Sequence, residues 1–128
     1  MPAVGEIMTP DVLAVGPTTR LVDAAGRMHE RRVGAVVVTE NDRLVGILTE
    51  RDILGAVATG AVDGTVGDAM TRGPDTVDPD ETAGHAAALM IHGGFRHLPV
   101  VEGEKVVGMI SIRDLVRLSV DDEAPRGV

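Results

Sequence analysis

The chain has 128 residues, 44% hydrophobic and 25% charged, a balance that fits one compact unit or two closely packed halves. Its net charge of −8 opposes sequence-independent nucleic-acid binding and adsorption to an anionic membrane, since both need clustered cations. Cys is absent, which excludes disulfides and thiolate metal sites, and Phe95 is the single aromatic residue, so the core must be aliphatic and Met-rich. No apolar run approaches the roughly 20 residues of a membrane span. Met1–Glu6 lacks the form of a secretory signal, and a cytoplasmic protein is the expectation.

The first predicted element is a short apolar strand, Val12 to Val15, which runs into Pro17. Thr18 is the expected cap of a helix carrying Leu21, Ala24, Ala25 and Met28 on one stripe. Two strands follow, Ala35–Thr39 and Leu44–Thr49, joined by a turn at Glu40-Asn41-Asp42. A second helix is predicted to start near Asp52, and the Gly-rich stretch Gly55–Gly64, helical at its start, connects to what comes next. The same order then recurs. Thr76 and Val77 form the strand, Asp80 the cap, and Ala83, Ala86, Ala87 and Met90 the helical stripe. Strands Leu98–Val101 and Val106–Ser111 flank Glu102-Gly103-Glu104, and a helix starts near Asp114. Residues 120–128 read as an acidic flexible tail.

Shifting the chain against itself by 62 residues aligns 4–56 with 66–118 without a gap, at 15 identities in 53 positions. Val-Gly-Glu-Ile-Met-Thr at 4–9 lies over Val-Gly-Asp-Ala-Met-Thr at 66–71, and Arg51-Asp52 lies over Arg113-Asp114. The repeat assigns residues 1–64 to a first unit with its linker and 65–119 to a second. Each unit is β-α-β-β-α, and ~55 residues alone bury too little surface for secure stability. The expected fold is therefore α/β (α+β): two repeats packed sheet against sheet with pseudo-twofold symmetry, leaving a cleft at each.

Three sequence features resemble a known family, the cystathionine-β-synthase (CBS) motif. They are Met-Thr ahead of the first strand, Arg96-x-Leu98-Pro99-Val100-Val101, and Gly-φ-φ-[Thr/Ser]-x-Arg-Asp (φ apolar) at 46–52 and again at 108–114. The resemblance spans residues 4–119. It implies a Bateman module, a pair of repeats whose relatives bind AMP, ADP, ATP or S-adenosylmethionine between the repeats and often dimerise as flat discs.

The chemistry of those residues suits such a ligand. Thr49 or Ser111 offers a hydroxyl where a strand passes into a helix, beside backbone N–H groups and the positive end of the helix dipole. Asp52 or Asp114, one turn on, accepts hydrogen bonds only and suits a ribose diol. Both pairs also have the form of capping boxes, which start helices whether or not anything binds. Arg51, Arg113, Arg96 and His97 are the candidate phosphate partners. Because the first repeat carries Gly34 and Ala35 where the second has Arg96 and His97, the second-repeat cleft is the expected phosphate site. Leu13, Val36, Ile47, Leu98 and Met109 are the candidate walls of an adenine slot. Thr9 and Thr71 lie on the loops beside the clefts. His85 and His92 stand two turns apart on one helix, about 10 Å by helical rise, too far to share an ion, so no metal site is expected.

No Ser-His-Asp set or P-loop is present in the sequence, so binding is expected rather than catalysis. The expected function is a stand-alone regulatory module that binds an adenosine-containing ligand, requires no cofactor, forms a homodimer and signals in trans to an effector protein. The alternative is a ligand-free dimeric scaffold with vestigial clefts.

Overall fold

A computed structural model describes residues 1–122. The elements in chain order are α1 (Val4–Ile7), β1 (Ala14–Val15), α2 (Leu21–Arg31), β2 (Ala35–Glu40), β3 (Arg43–Thr49), α3 (Glu50–Ala58), α4 (Val66–Ala69), β4 (Thr71–Arg72), α5 (Ala83–Gly93), β5 (His97–Glu102), β6 (Lys105–Ser111) and α6 (Ile112–Asp122). The mixed α/β class holds.

Strands β1 to β4 form one sheet in that order, with β1 parallel to β2 and the remaining pairs antiparallel. Strands β5 and β6 form the second sheet, which is flanked by single bridges from Val77 to Val100 and from Thr9 to Met109. These bridges repeat, 62 residues on, the pairings Val15–Val38 and Thr71–Ile47 of the first sheet. Each hairpin closes through two residues. Asn41 and Asp42 both have positive φ, as a tight hairpin turn needs, and Gly103 supplies the left-handed position in the other.

The pleat sorts side chains to two faces. Val36, Val38 and Leu48 join Leu21, Ala24 and Met28 of α2 in one core, while Leu98, Val100 and Ile110 join Ala86 and Met90 of α5 in another. The alternate residues Ala35, Val37 and Ile47 meet Met109 between the sheets. This is the sheet-against-sheet arrangement predicted from the repeat.

Each half is completed by the other's leading segment. Val4 is buried in the core around α5, and Val66 and Met70 are buried in the core around α2. The attachment is the same on both sides. Val4 and Gly5 N–H groups donate to the Glu81 and Pro79 carbonyls, and Val66 and Gly67 N–H groups donate to Thr19 and Pro17. Glycine makes room for the methionine that follows. A side-chain carbon on Gly46 would stand 2.6 Å from Met70 Sδ and 2.8 Å from the Thr71 carbonyl, and one on Gly108 would stand 2.5 Å from Met8 Sδ and 2.9 Å from the Thr9 carbonyl.

Several local expectations change. The first strand shrinks to Ala14–Val15, and Thr76 is outside any strand. Helix α2 begins after Arg20 with no side-chain cap, because Thr19 is used in a turn where its hydroxyl accepts from the Gly16 N–H (3.3 Å). Thr18 is therefore not the cap. In the second half the cap is Thr82, whose hydroxyl accepts from His85 N–H at 3.1 Å, while Asp80 lies in the preceding turn, its N–H bound to Asp78. Residues 120–122, expected in the tail, continue α6, and 123–128 lie outside the described residues.

Candidate functional site

Strand β3 runs directly into α3, and the junction is tied by a complete capping box. The Thr49 N–H donates to Asp52 Oδ2 (2.9 Å), and the Asp52 N–H donates to Thr49 Oγ1 (3.4 Å). Ser111 and Asp114 repeat the arrangement at 2.8 and 3.2 Å. At the level of capping the two junctions are equivalent. They differ in surroundings. The Thr71 hydroxyl, brought in by β4, donates to Asp52 Oδ1 at 3.4 Å.

A cleft of about 460 Å³ opens at the first junction. Thr49, Arg51 and Asp52 border it from the start of α3, Thr71 from β4, and Arg96 and His97 from the head of β5. Ile47 forms part of the apolar wall. Arg96 and His97 thus face Thr49 and Asp52 across the line between the halves, which corrects their expected grouping with Ser111 and Asp114. The cause is topological: the heads of β2 and β5 lie beside the start of α3, where the Glu50 N–H donates to the Gly34 carbonyl. The open cleft therefore draws on both repeats.

Other residues expected at the site lie elsewhere. Val36 and Leu98 have no exposed surface, because the pleat turns them towards α2 and α5. They are core, not slot. Leu13 packs against the first core, and Met109 is buried between the sheets. Thr9 is tied to Met109 by paired backbone bonds of 2.8 and 2.9 Å. Ser111, Arg113 and Asp114 do not line the open cleft, although the last two act electrostatically on His97.

The sequence pattern did not single out Glu50, Gly73, Pro74, Asp75 and Gly94 as site residues, and Phe95 was noted only as the lone aromatic. All line the cleft. Gly73 and Gly94 adopt left-handed φ of 54° and 71°, and these turns bring Pro74 and Phe95 to the rim.

Burial holds the His97 imidazole below its ordinary pKa; the Glu50 and Asp114 carboxylates oppose this, while Arg96 and Arg113 reinforce it. His97 is therefore neutral near pH 7, a hydrogen-bonding group rather than a fixed cation. Two of the first three amides of α3 are already used, Glu50 by Gly34 and Asp52 by Thr49. What the cleft offers is the Thr49 and Thr71 hydroxyls, the remaining acceptor capacity of Asp52, and two arginines beside an apolar wall. Among the described residues no group of three His, Asp or Glu side chains is placed to hold a metal ion, and no helix is long and apolar enough to cross a membrane.

Comparison with known proteins follows the same division of the chain. The CBS domain model matches residues 4–59 and again 66–121. The 17.7 kDa protein of the bps2 3′ region of Acidianus ambivalens is 38% identical over 120 residues, covering 92% of this chain and 73% of that protein. The CBS domain-containing protein CBSCBSPB1 of Arabidopsis thaliana is 38% identical over 104 residues, 78% of this chain and only 19% of that protein, so there the pair is one part of a much longer polypeptide. Among solved structures, the CBS domain pair of protein MJ0100 in complex with 5′-methylthioadenosine and S-adenosyl-L-methionine superposes with a TM-score of 0.91 at 26% identity, covering 95% of this chain and 98% of that one. CBSX2 in complex with AMP gives a TM-score of 0.84 at 28% identity, covering 96% and 99%. Two matched domains, a repeat of 62 residues and agreement in fold with CBS pairs lead to one conclusion: the chain belongs to the CBS domain family and is a tandem CBS pair.

Proposed function

We propose that the protein is a regulatory module that binds an adenosine-containing small molecule in the Thr49–His97 cleft and passes its occupancy to another protein. The observation that carries this reading is the convergence, in one cleft between the halves, of a capped hydroxyl–carboxylate pair with Thr71, Arg51 and Arg96. Two solved CBS pairs of the same fold hold AMP, or 5′-methylthioadenosine and S-adenosylmethionine. Asp52 receives the ribose hydroxyls: a carboxylate has about four lone-pair sites, and the box and Thr71 leave some open. Arg51 and Arg96 meet the phosphate or other anionic end, and Ile47, Pro74 and Phe95 enclose the base. No step in this reading is chemical; the ligand acts by its differential affinity for two states of the module.

A second reading, a dimeric scaffold, is favoured by the exposed apolar side chains Leu54, Val57, Val116 and Val120 on α3 and α6. The two readings are compatible, since a homodimer through these helices leaves the cleft open to ligand.

Calorimetric titration with AMP, ADP, ATP and S-adenosylmethionine tests the proposal, with Asp52→Ala and Asp114→Ala compared. The two variants lose equivalent caps, a stability cost of about 1 kcal/mol each. Binding at the proposed cleft is weakened at least tenfold by Asp52→Ala and much less by Asp114→Ala. Equal losses of affinity in both variants would remove Asp52 as a contact, and no saturable heat from the folded protein would leave the scaffold reading.

A further inference from the structure

The charges around the Thr49–His97 cleft do not balance in favour of a polyanion. Arg51 and Arg96 supply two cations, and Glu50, Asp52 and Asp75 supply three carboxylates. The ion pairs found among the described residues are elsewhere, Arg43 with Glu104 and His85 with Glu81, so neither cleft arginine is spent on a carboxylate. Burial of His97 keeps it from adding a third cation near neutral pH.

Glu50 is the informative member. It is the first residue of α3, and its carboxylate folds over Gly34, so closely that any side-chain carbon at position 34 would collide with Glu50 Oε1. From there its charge reaches His97 at the head of β5, beside Arg96. The fold itself does not call for this carboxylate. The equivalent position in the second half is Ile112, which begins an equivalent helix behind an equivalent capping box. Position 34, opened by glycine, is occupied by Arg96 in the second half. Glu50 and Gly34 therefore form a matched pair peculiar to the open cleft, and they set a negative charge beside the arginines that an anionic ligand would use.

We infer that Glu50, assisted by Asp75 from the loop after β4, limits the negative charge the cleft accepts, so that it admits adenosine ligands with at most one phosphoryl group and disfavours the di- and triphosphates. This rests on the adenosine-ligand reading above. Across ~6–8 Å at a half-exposed site, each added negative charge facing an unneutralised carboxylate lowers affinity on the order of three- to tenfold.

The test is calorimetry on the full chain in EDTA at pH 8, with adenosine, AMP, ADP and ATP, for wild type and Glu50→Gln. The readout is the ratio of ATP to AMP dissociation constants rather than either value alone. Wild type is expected to hold AMP at least tenfold more tightly than ATP, and Glu50→Gln to shrink that ratio at least threefold. ATP bound as tightly as AMP by wild type, or a ratio unmoved by Glu50→Gln, would overturn the charge limit and leave adenosine binding standing. Failure of all four compounds to bind overturns both. The wild-type ranking is decisive even where the variant folds poorly.

Discussion

His97 occupies a half-buried position among Glu50, Asp114, Arg96 and Arg113, and burial wins, holding its pKa below the ordinary value. The unfolded chain then takes up its proton near pH 6.5 while the folded chain still resists it. In that interval the unfolded state binds more protons, so stability rises with pH; this contribution is complete above about pH 6.5 and is lost as pH falls towards the folded-state pKa. Urea midpoints measured at pH 7.5, 6.5 and 5.5 should fall on acidification more in wild type than in His97→Gln. Parallel pH profiles would show that burial of His97 is not felt energetically. The residues of the cleft were legible from sequence where chemistry and spacing coincide: Thr49 with Asp52, Thr71 in its Met-Thr pair, and the Arg96-His97 basic pair. They were not legible where the fold alone makes the neighbourhood. Pro74, Asp75 and Phe95 reach the cleft through left-handed glycines on two separate loops, and no spacing in the sequence joins those loops to Thr49. Val36 and Leu98 were misplaced by one step of the pleat, which moved them from the space between the sheets to the helix-facing core.

At the scale of elements, the exchange of α1 and α4 is what makes the two halves one body. Full burial of Val4 and of Val66 contributes about 1.5–3 kcal/mol each, and each is delivered to the core of the other half. Gly46 and Gly108 are the positions that permit the crossing chain to lie against β3 and β6. Gly46→Ala and Gly108→Ala should each destabilise the protein by about 1–3 kcal/mol, because the obstructing atoms include backbone carbonyls of Thr71 and Thr9 that cannot step aside as a flexible side chain can. Denaturant unfolding measures this directly; losses under about 0.5 kcal/mol, the usual scatter for harmless surface changes, would mean that the crossing segments give way at little cost. The longer elements were readable because eleven-residue helices and six- or seven-residue strands carry a clear period. The four-residue α1 and α4 are too short for a period to show. Only α4 left a sign, the box Thr65-x-x-Asp68, in which the Thr65 N–H donates to Asp68 Oδ2 at 3.1 Å.

The whole molecule repeats itself about a pseudo-twofold axis, and its exposed apolar surface repeats with it. Leu54 on α3 is 68% exposed and its counterpart Val116 on α6 is 54% exposed, with Val57 and Val120 one turn further along their helices. Single exposed aliphatics need no explanation, but a matched pair on both halves forms two stripes related by the symmetry of the fold. A twofold dimer is the simplest assembly that covers both, since an isologous contact uses the same surface on each partner. The net charge of −8 also bears on this: two copies repel at long range, so the apolar contact must supply the association, and salt should strengthen it by screening. Leu54→Lys with Val116→Lys places charges in both stripes at positions whose exposure makes the folded monomer tolerant of them. Light scattering should therefore give a dimer for wild type, tighter in high salt, and a folded monomer for the double variant. A monomeric wild type at micromolar concentration, or a double variant that still dimerises, would mean that the helices α3 and α6 are not the joining surface.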